Sequence, residues 1–574
     1  MSGESLKEAT LKGMRWLALR SVVSECIAIA STVALARLLS PTEFGQGAVA
    51  MLFVLLAVIL TFESFGSALV QRAEVDEGHR QVAVLLNLVA GTVLGLLVFV
   101  SAPLLWRPIF GEETAKLIAI SSPAFLIAAA GAVSRAMLWR RLDFRRVTQI
   151  DLATNFATNA CSVTFAVVGL GAESLVLGAM AGLAVGSVLM MISCPEPLPR
   201  WHLRQAREIM SYGTFAALTG LVYQVFANID YWIVAARLSA YTAGIYYRAF
   251  NLGVIYQSKI SNVMMQIAFP VYSRTESRDH MRRLHERATR IHGVVIFPFL
   301  ALLFVLAPVV IPFVFGKVWE PAVHPTQILA IAGMFVAILV GYGQVMQALG
   351  KPGTLLIFNV AVLVVYASAV AVASRGGLID VAIAVVAVQF AVLLGAYHFL
   401  LKPSIGLSIK NLLPELGPAV VGCLVLVLVC YPLRILLQTR VPAAVTIIVI
   451  GPLGLVCYAL VLRLLFRRTW LELWSVVNRV APGLSRPRWP RRRPPVPSQG
   501  IQATVASEPV SDQAVAPQHP MTAEDLLTAV RSRKDARARD LIALEALVRD
   551  EPERNHWRRG QYGPSLAREA RPDG

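Results

Sequence analysis

From position 16 to position 466 the chain alternates between apolar runs, each close to twenty residues, and short polar breaks. A helix needs about 20 apolar residues to cross hydrocarbon, and only helices or closed barrels leave no backbone group unpaired there. The runs lack the two-residue alternation of barrel strands, so the pattern predicts an all-α integral membrane protein. Fourteen transmembrane helices are expected, at 16–37, 47–70, 82–104, 116–137, 150–169, 173–194, 212–236, 243–268, 291–315, 326–349, 354–374, 378–401, 416–436 and 442–466. The intervening loops fix the orientation. One alternate set, from Lys7 to Lys410, carries 23 Lys and Arg residues, and the other, from Arg37 to Arg440, carries 8. Cytoplasmic loops are the Lys/Arg-rich ones, so residues 1–15 and the C-terminus are expected in the cytoplasm. The loops on the opposite side are too short to hold an exported catalytic domain. That argues against a glycosyltransferase, polymerase or ligase working through paired acids.

Composition agrees with this picture and removes other classes. Of 574 residues, 56% are hydrophobic and 15% charged. A net charge of +18 would suggest nucleic acid in a soluble domain. Here the excess lies in short loops and a basic tail, where it reports orientation and anionic lipid, and no nucleic-acid partner is expected. The six cysteines are scattered through apolar runs without a Cys-x-x-Cys, so neither a metal nor a cofactor is expected. The first 25 positions carry recurrent charges and do not resemble a cleaved signal peptide.

The chain repeats itself. ARLLSPTEFG, Ala36 to Gly45, returns as ARLSAYTAG, Ala236 to Gly244. Ala102-Pro103 followed by Phe110-Gly111 returns as Ala307-Pro308 followed by Phe315-Gly316, and Arg72-Ala73-Glu74 is echoed by Arg274-Thr275-Glu276. Three echoes in the same order predict two six-helix lobes, 16–194 and 212–401, joined by a cytoplasmic linker at 195–211 and followed by two additional helices in 416–466. An even number of spans gives both copies one orientation, so they form parallel repeats around a central cavity, an arrangement suited to alternating access. The glycine of each motif is expected to permit a tight outer turn, and Arg37 and Arg237 to mark its water interface.

Ionisable residues inside spans are functional candidates. In span eight Arg248, Asn251, Lys259, Asn262 and Gln266 fall on one helical stripe at 100° per residue. Two cations facing a cavity suit an anionic ligand. Packing against other polar helices is the alternative. Glu25, near mid-membrane in span one, is a candidate for coupling transport to a proton or sodium gradient, or for pairing with an Arg. Glu63 and Lys259 lie at matching depth and are candidates for a gating salt bridge between lobes. Asp230 and Arg248 also share a depth, on consecutive spans, and are expected to pair. Tyr223, Asp230 and Arg237 share a face. Asn155 and Asn159 read as interhelical glue, and Trp16, Trp106, Trp139, Trp201 and Trp319 as interfacial anchors.

The stretch ALARLLSPTEFGQGAVA, its second copy YWIVAARLSAYTAGIYYRAFNLG, and QALGKPG from Gln347 to Gly353 resemble the polysaccharide flippases. These are the Wzx-type transporters of O-antigen, capsule and exopolysaccharide units, within the multidrug/oligosaccharidyl-lipid/polysaccharide exporter superfamily. The resemblance covers residues 10–465 and implies a two-lobed inner-membrane transporter that flips undecaprenyl-diphosphate-linked oligosaccharide to the outer leaflet. A polysaccharide polymerase or a glycosyltransferase is then a candidate partner. A cation-coupled multidrug exporter and a lipid II flippase share the superfamily, and a drug exporter favours acids and aromatics over an Arg–Lys stripe. Residues 467–574 have no counterpart in that pattern. They read as a basic, mostly disordered cytoplasmic tail, with SRPRWPRRRPPVPSQG along anionic headgroups and a short amphipathic helix near 522–549.

Overall fold

A computed structural model describes residues 23–61, 65–72, 74–257, 277–339 and 341–480, together with positions 261, 272 and 275; the side chains of Tyr212, Phe215, Tyr223, Phe226 and 476–480 are not described. Glu63, Lys259, Asn262, Gln266, Trp16, Arg274, the Arg-rich run and the expected helix at 522–549 lie outside the described residues.

Among the described residues the chain is all helical. The helices are α1 (23–38), α2 (Pro41–Thr61), α3 (Glu77–Phe110), α4 (Glu112–Arg140), α5 (Phe144–Val167), α6 (Glu173–Ser193) and α7 (Leu203–Arg237). They continue as α8 (240–257), α9 (Arg278–Phe315), α10 (Val323–Leu339), α11 (Pro352–Ala373), α12 (Leu378–Ile405), α13 (Ile409–Gln438), α14 (Ala443–Leu465) and α15 (Arg467–Val480). Ten helices are long and apolar enough to cross a membrane, or eleven with α7, whose arms Leu203–Val222 and Ala227–Arg237 meet at 54°. The sequence pattern predicts fourteen. Two of the expected spans, 16–37 and 243–268, run outside the described residues, and α5 carries the polar Asp151, Asn155 and Asn159 along its length.

Helix starts follow local chemistry. The Ser40 N–H donates to Glu43 Oε2 at 2.8 Å, and the Glu43 N–H donates to Ser40 Oγ at 3.3 Å. With Pro41 in the first turn this is a capping box opening α2. In the second motif the Thr242 N–H donates to Ser239 Oγ at 3.1 Å and opens α8. The repeated segment is therefore a pair of helix starts. Helices α3 and α9 both end on glycines of positive φ, Gly111 at 86° and Gly316 at 107°, a conformation that a side chain disfavours.

Small residues set the packing. On α6, Gly178, Gly182 and Gly186 receive Ser162, Thr158 and Thr154 of α5 at distances no Cβ would allow, so two backbones meet along a small-residue stripe. Asn159 Nδ2 donates within its own helix, to the Asn155 carbonyl at 2.7 Å, rather than across to a neighbour, and Asn155 is exposed. In the second half α9 is central, its Val294, Phe297, Leu300 and Val305 packing in one core with Ala419 and Leu426 of α13. The linker is fastened by charge. Glu208 of α7 accepts from Arg72 at 2.6 Å and pairs with His79 at 3.0 Å, while Arg80 reaches Glu196 at 2.7 Å.

Candidate functional site

The two halves of the helical region meet where the repeated motifs meet. A Cβ on Gly45 would stand 2.8 Å from Gly244 N and closer still to the Ala240 carbonyl oxygen; one on Gly244 would collide with the Pro41 carbonyl. Each motif thus lays its glycine against the backbone of the other copy. This corrects the turn-forming role expected for these glycines: both lie inside helices, in ordinary helical conformation, and serve close approach. Side chains fasten the same seam. The Tyr231 hydroxyl donates to the Gly45 carbonyl at 2.9 Å. Arg37 Nε donates to Val314 O at 2.9 Å, and Nη2 to Phe313 O, two carbonyls left open at the C-terminal end of α9. Arg237 donates to the Ala371 carbonyl of α11 at 3.2 Å.

Trp319 is not an interfacial anchor. It is fully buried, its indole N–H donating to the Ala36 carbonyl at 2.7 Å. Its ring stands edge-on to Phe44 with centroids 5.6 Å apart. Trp106 likewise packs inward, against Phe53 and Trp232. Trp139 and Trp201 are exposed.

Arg248 lies at the centre of this seam. Only 2% of its surface is exposed. Its guanidinium carbon sits 4.5 Å from the ring centroid of Phe44, 4.6 Å from Phe315 and 4.9 Å from Trp319. Phe44 comes from the first half and the other two rings from the second. Among the described residues, Nε and Nη2 of Arg248 have no hydrogen-bond partner. The expected Asp230–Arg248 pair is not formed. Asp230, also 2% exposed, accepts hydrogen bonds from the hydroxyls of Tyr246 at 2.6 Å and Tyr366 at 3.0 Å. Two neutral donors satisfy the carboxylate locally, and the cation is left to aromatic faces, whose quadrupoles attract it. A buried charge with two of its three nitrogens unsatisfied is costly.

Of the other predicted residues, Asn251 is half-buried and donates to the Tyr247 carbonyl of its own helix at 2.7 Å. Glu25 of α1 is half-buried and close enough to Tyr256 of α8 to act on it electrostatically. Three of the five stripe residues lie outside the described residues, as does Glu63. The aromatic box and the tyrosine pair were missed by sequence reasoning. Phe44 stood in the repeated motif next to Gly45, a signal that pointed to it; Tyr366 offered none.

Among the described residues this is an all-helical protein with ten or eleven candidate membrane spans. Its fold resembles the lipid II flippase MurJ in an inward closed conformation, with a TM-score of 0.63 and 15% identity over 79% of this chain and 98% of that one. The family profile described as "Polysaccharide biosynthesis protein" matches residues 34–324, just over half of the chain. Curated relatives include the lipopolysaccharide biosynthesis protein WzxC of Escherichia coli (strain K12), 24% identical over 76% of this chain and 89% of its own length. The teichuronic acid biosynthesis protein TuaB of Bacillus subtilis (strain 168) is 26% identical over 66% of this chain and 79% of its own. The chain belongs to the polysaccharide biosynthesis protein family, with Wzx-like relatives. It is a membrane transporter and not an enzyme, and its transport serves polysaccharide biosynthesis.

Proposed function

We propose that the protein moves lipid-linked oligosaccharide repeat units, carried on undecaprenyl diphosphate, from the inner to the outer leaflet of the bacterial inner membrane. Two parallel six-helix lobes rock about the seam between α2 and α8, within a fourteen-span chain whose termini are both cytoplasmic. The reciprocal glycine contacts, each motif against the other, support the two-lobe reading. The observation that carries the proposal is Arg248: an unpaired, fully buried cation, one of whose three aromatic neighbours belongs to the opposite half.

In the closed seam its charge rests on Phe44, Phe315 and Trp319. When the halves part, Phe44 leaves with its own lobe, and the guanidinium is free to make charge-assisted hydrogen bonds to a diphosphate. The cargo replaces the aromatic face, so opening is favoured when anionic cargo is present. Lys259, Asn262 and Gln266, which follow in the same apolar run of the sequence, are the proposed continuation of the cargo path. Asp230 and Glu25 are the carboxylates through which a proton or sodium gradient acts, with Glu63 and Lys259 as the proposed gating pair.

The test is a deletion strain complemented with wild type or with Arg248→Ala plus Lys259→Ala. Surface polymer and lipid-linked repeat units on the inner leaflet are measured together. Loss of polymer with accumulation inside, in the deletion and the double variant alike, is the expected result. Normal polymer with new drug sensitivity points to an exporter of other cargo and overturns the reading.

A further inference from the structure

At the end of the bundle that carries the basic loops, α9, α13, α14 and α15 enclose a cleft of about 700 Å³. Its position follows from two features of the chain. Helix α9 starts thirteen residues before the apolar run at 291, so Arg283, Arg287 and Arg290 stand on a helical extension beyond the span. Helix α15 begins directly after α14 and is amphipathic. Trp470 and Trp474 are stacked on it with centroids 6.1 Å apart, and Leu471 and Trp474 are exposed. Such a helix lies in the headgroup plane.

Charge inside the cleft is unevenly satisfied. Arg290 donates to Glu415 of α13 at 2.5 Å and to Glu472 of α15 at 3.3 Å. That triad locks the frame and consumes both acids. Glu286 is taken by Arg282 at 3.0 Å. Arg283, Arg287 and Arg467 also line the cleft and are exposed, and among the described residues none of them has an acidic partner. The floor is apolar, with Pro414, Pro418 and Phe466, and Leu413, Leu464 and Leu465 stand exposed beside it.

We propose that this cleft is a binding site for the headgroup of an anionic phospholipid of the cytoplasmic leaflet. The three free guanidiniums take the phosphate, and the acyl chains run along the exposed leucines of α13 and α14. Basic pockets between membrane helices on the cytoplasmic side have this ligand chemistry. A small soluble anion has no use for the leucines and tryptophans at the rim. This site does not depend on the identity of the cargo.

The full-length protein is reconstituted with brominated phosphatidylglycerol or brominated phosphatidylcholine, and quenching of the fluorescence owed to Trp470 and Trp474 is obtained by difference from the W470F/W474F protein. Phosphatidylglycerol is expected to quench at about tenfold lower mole fraction. The preference should vanish in R283Q/R287Q/R467Q and persist in R283K/R287K/R467K, which keeps the charge and controls for folding. Equal quenching by the two lipids overturns the proposal, as does a preference unchanged in the glutamine variant. Abolition of the preference by millimolar inorganic phosphate assigns the cleft to a free anion and overturns it too.

Discussion

Replacing Arg248 with Met should make the protein more stable and less active at once. The guanidinium has lost its water and has gained no hydrogen bond at Nε or Nη2. The effective cost of burying such a charge is several kcal/mol. Against it stand three aromatic faces at 4.5, 4.6 and 4.9 Å, each contributing up to about 2 kcal/mol when desolvated. The two sides nearly cancel. Methionine fills a similar volume, removes the desolvation cost, and keeps thioether contacts of about 0.3–1.5 kcal/mol with each ring. Arg248→Met is therefore expected to stabilise the closed seam by about 1–3 kcal/mol, visible as a rise of a few degrees in the melting temperature of purified protein. Complementation of a deletion strain should fall at least about tenfold, the equivalent of ~1.4 kcal/mol on the opening step. A structural arginine behaves the other way: its loss lowers the melting temperature and leaves transport in proportion to the folded protein. Observation of that pattern refutes the assignment.

Three further outcomes follow from the same geometry. Gly45→Ala puts a methyl where the backbone of the second motif already lies; an overpacking penalty of about 1–3 kcal/mol should loosen the seam and raise labelling of an Ala243→Cys probe by an impermeant maleimide, and unchanged labelling contradicts the seal. Both tyrosine hydroxyls donate to the same oxygen, Asp230 Oδ2, so Asp230→Asn keeps the acceptor and loses the charge assistance, at about 1 kcal/mol per bond; a variant as stable as wild type shows that the hydroxyls do not hold a carboxylate. The His79 backbone N–H holds the Asp76 carboxyl below the ordinary carboxylate range. A depressed carboxylate contributes stability above its unfolded value of about 3.9 and loses it as pH falls through the folded value, so the melting temperatures of wild type and Asp76→Asn should converge toward pH 3. A gap that stays constant from pH 6 to pH 3 removes the capping interaction from the account.

The helices were legible because each is a local pattern. Apolar runs and the Ser40 and Ser239 caps are written in consecutive residues. The repeat was legible too, but the role of its glycines was not: Gly45 and Gly244 look alike whether they permit a turn or a contact, and only the position of the opposite backbone decides. The site was half legible. Arg248 stood out as a charge in an apolar run, whereas its box joins positions 44, 248, 315 and 319 from separate elements. Trp319 has the composition of an interfacial anchor and became a buried one, since its partner is the Ala36 carbonyl of a helix 283 residues earlier in the chain. Helix α15 was legible in RRTWLELWSVVNRV and was merged with the basic tail, whose charge it shares.

The contact between the two motifs is backbone against backbone, Gly45 to Ala240 and Gly244 to Pro41. This glycine contact has no side-chain vocabulary of its own. It can tell apart neither sugars nor lipids, and any preference for charge is left to Arg248 and its rings. Such a lock lets selectivity drift: residues along the path can be exchanged over time for those that suit a new polymer, while the part that keeps the membrane tight stays untouched. The two glycines are bound to each other in a stricter sense, because a side chain gained at either one evicts the other's partner. They are expected to vary together or not at all.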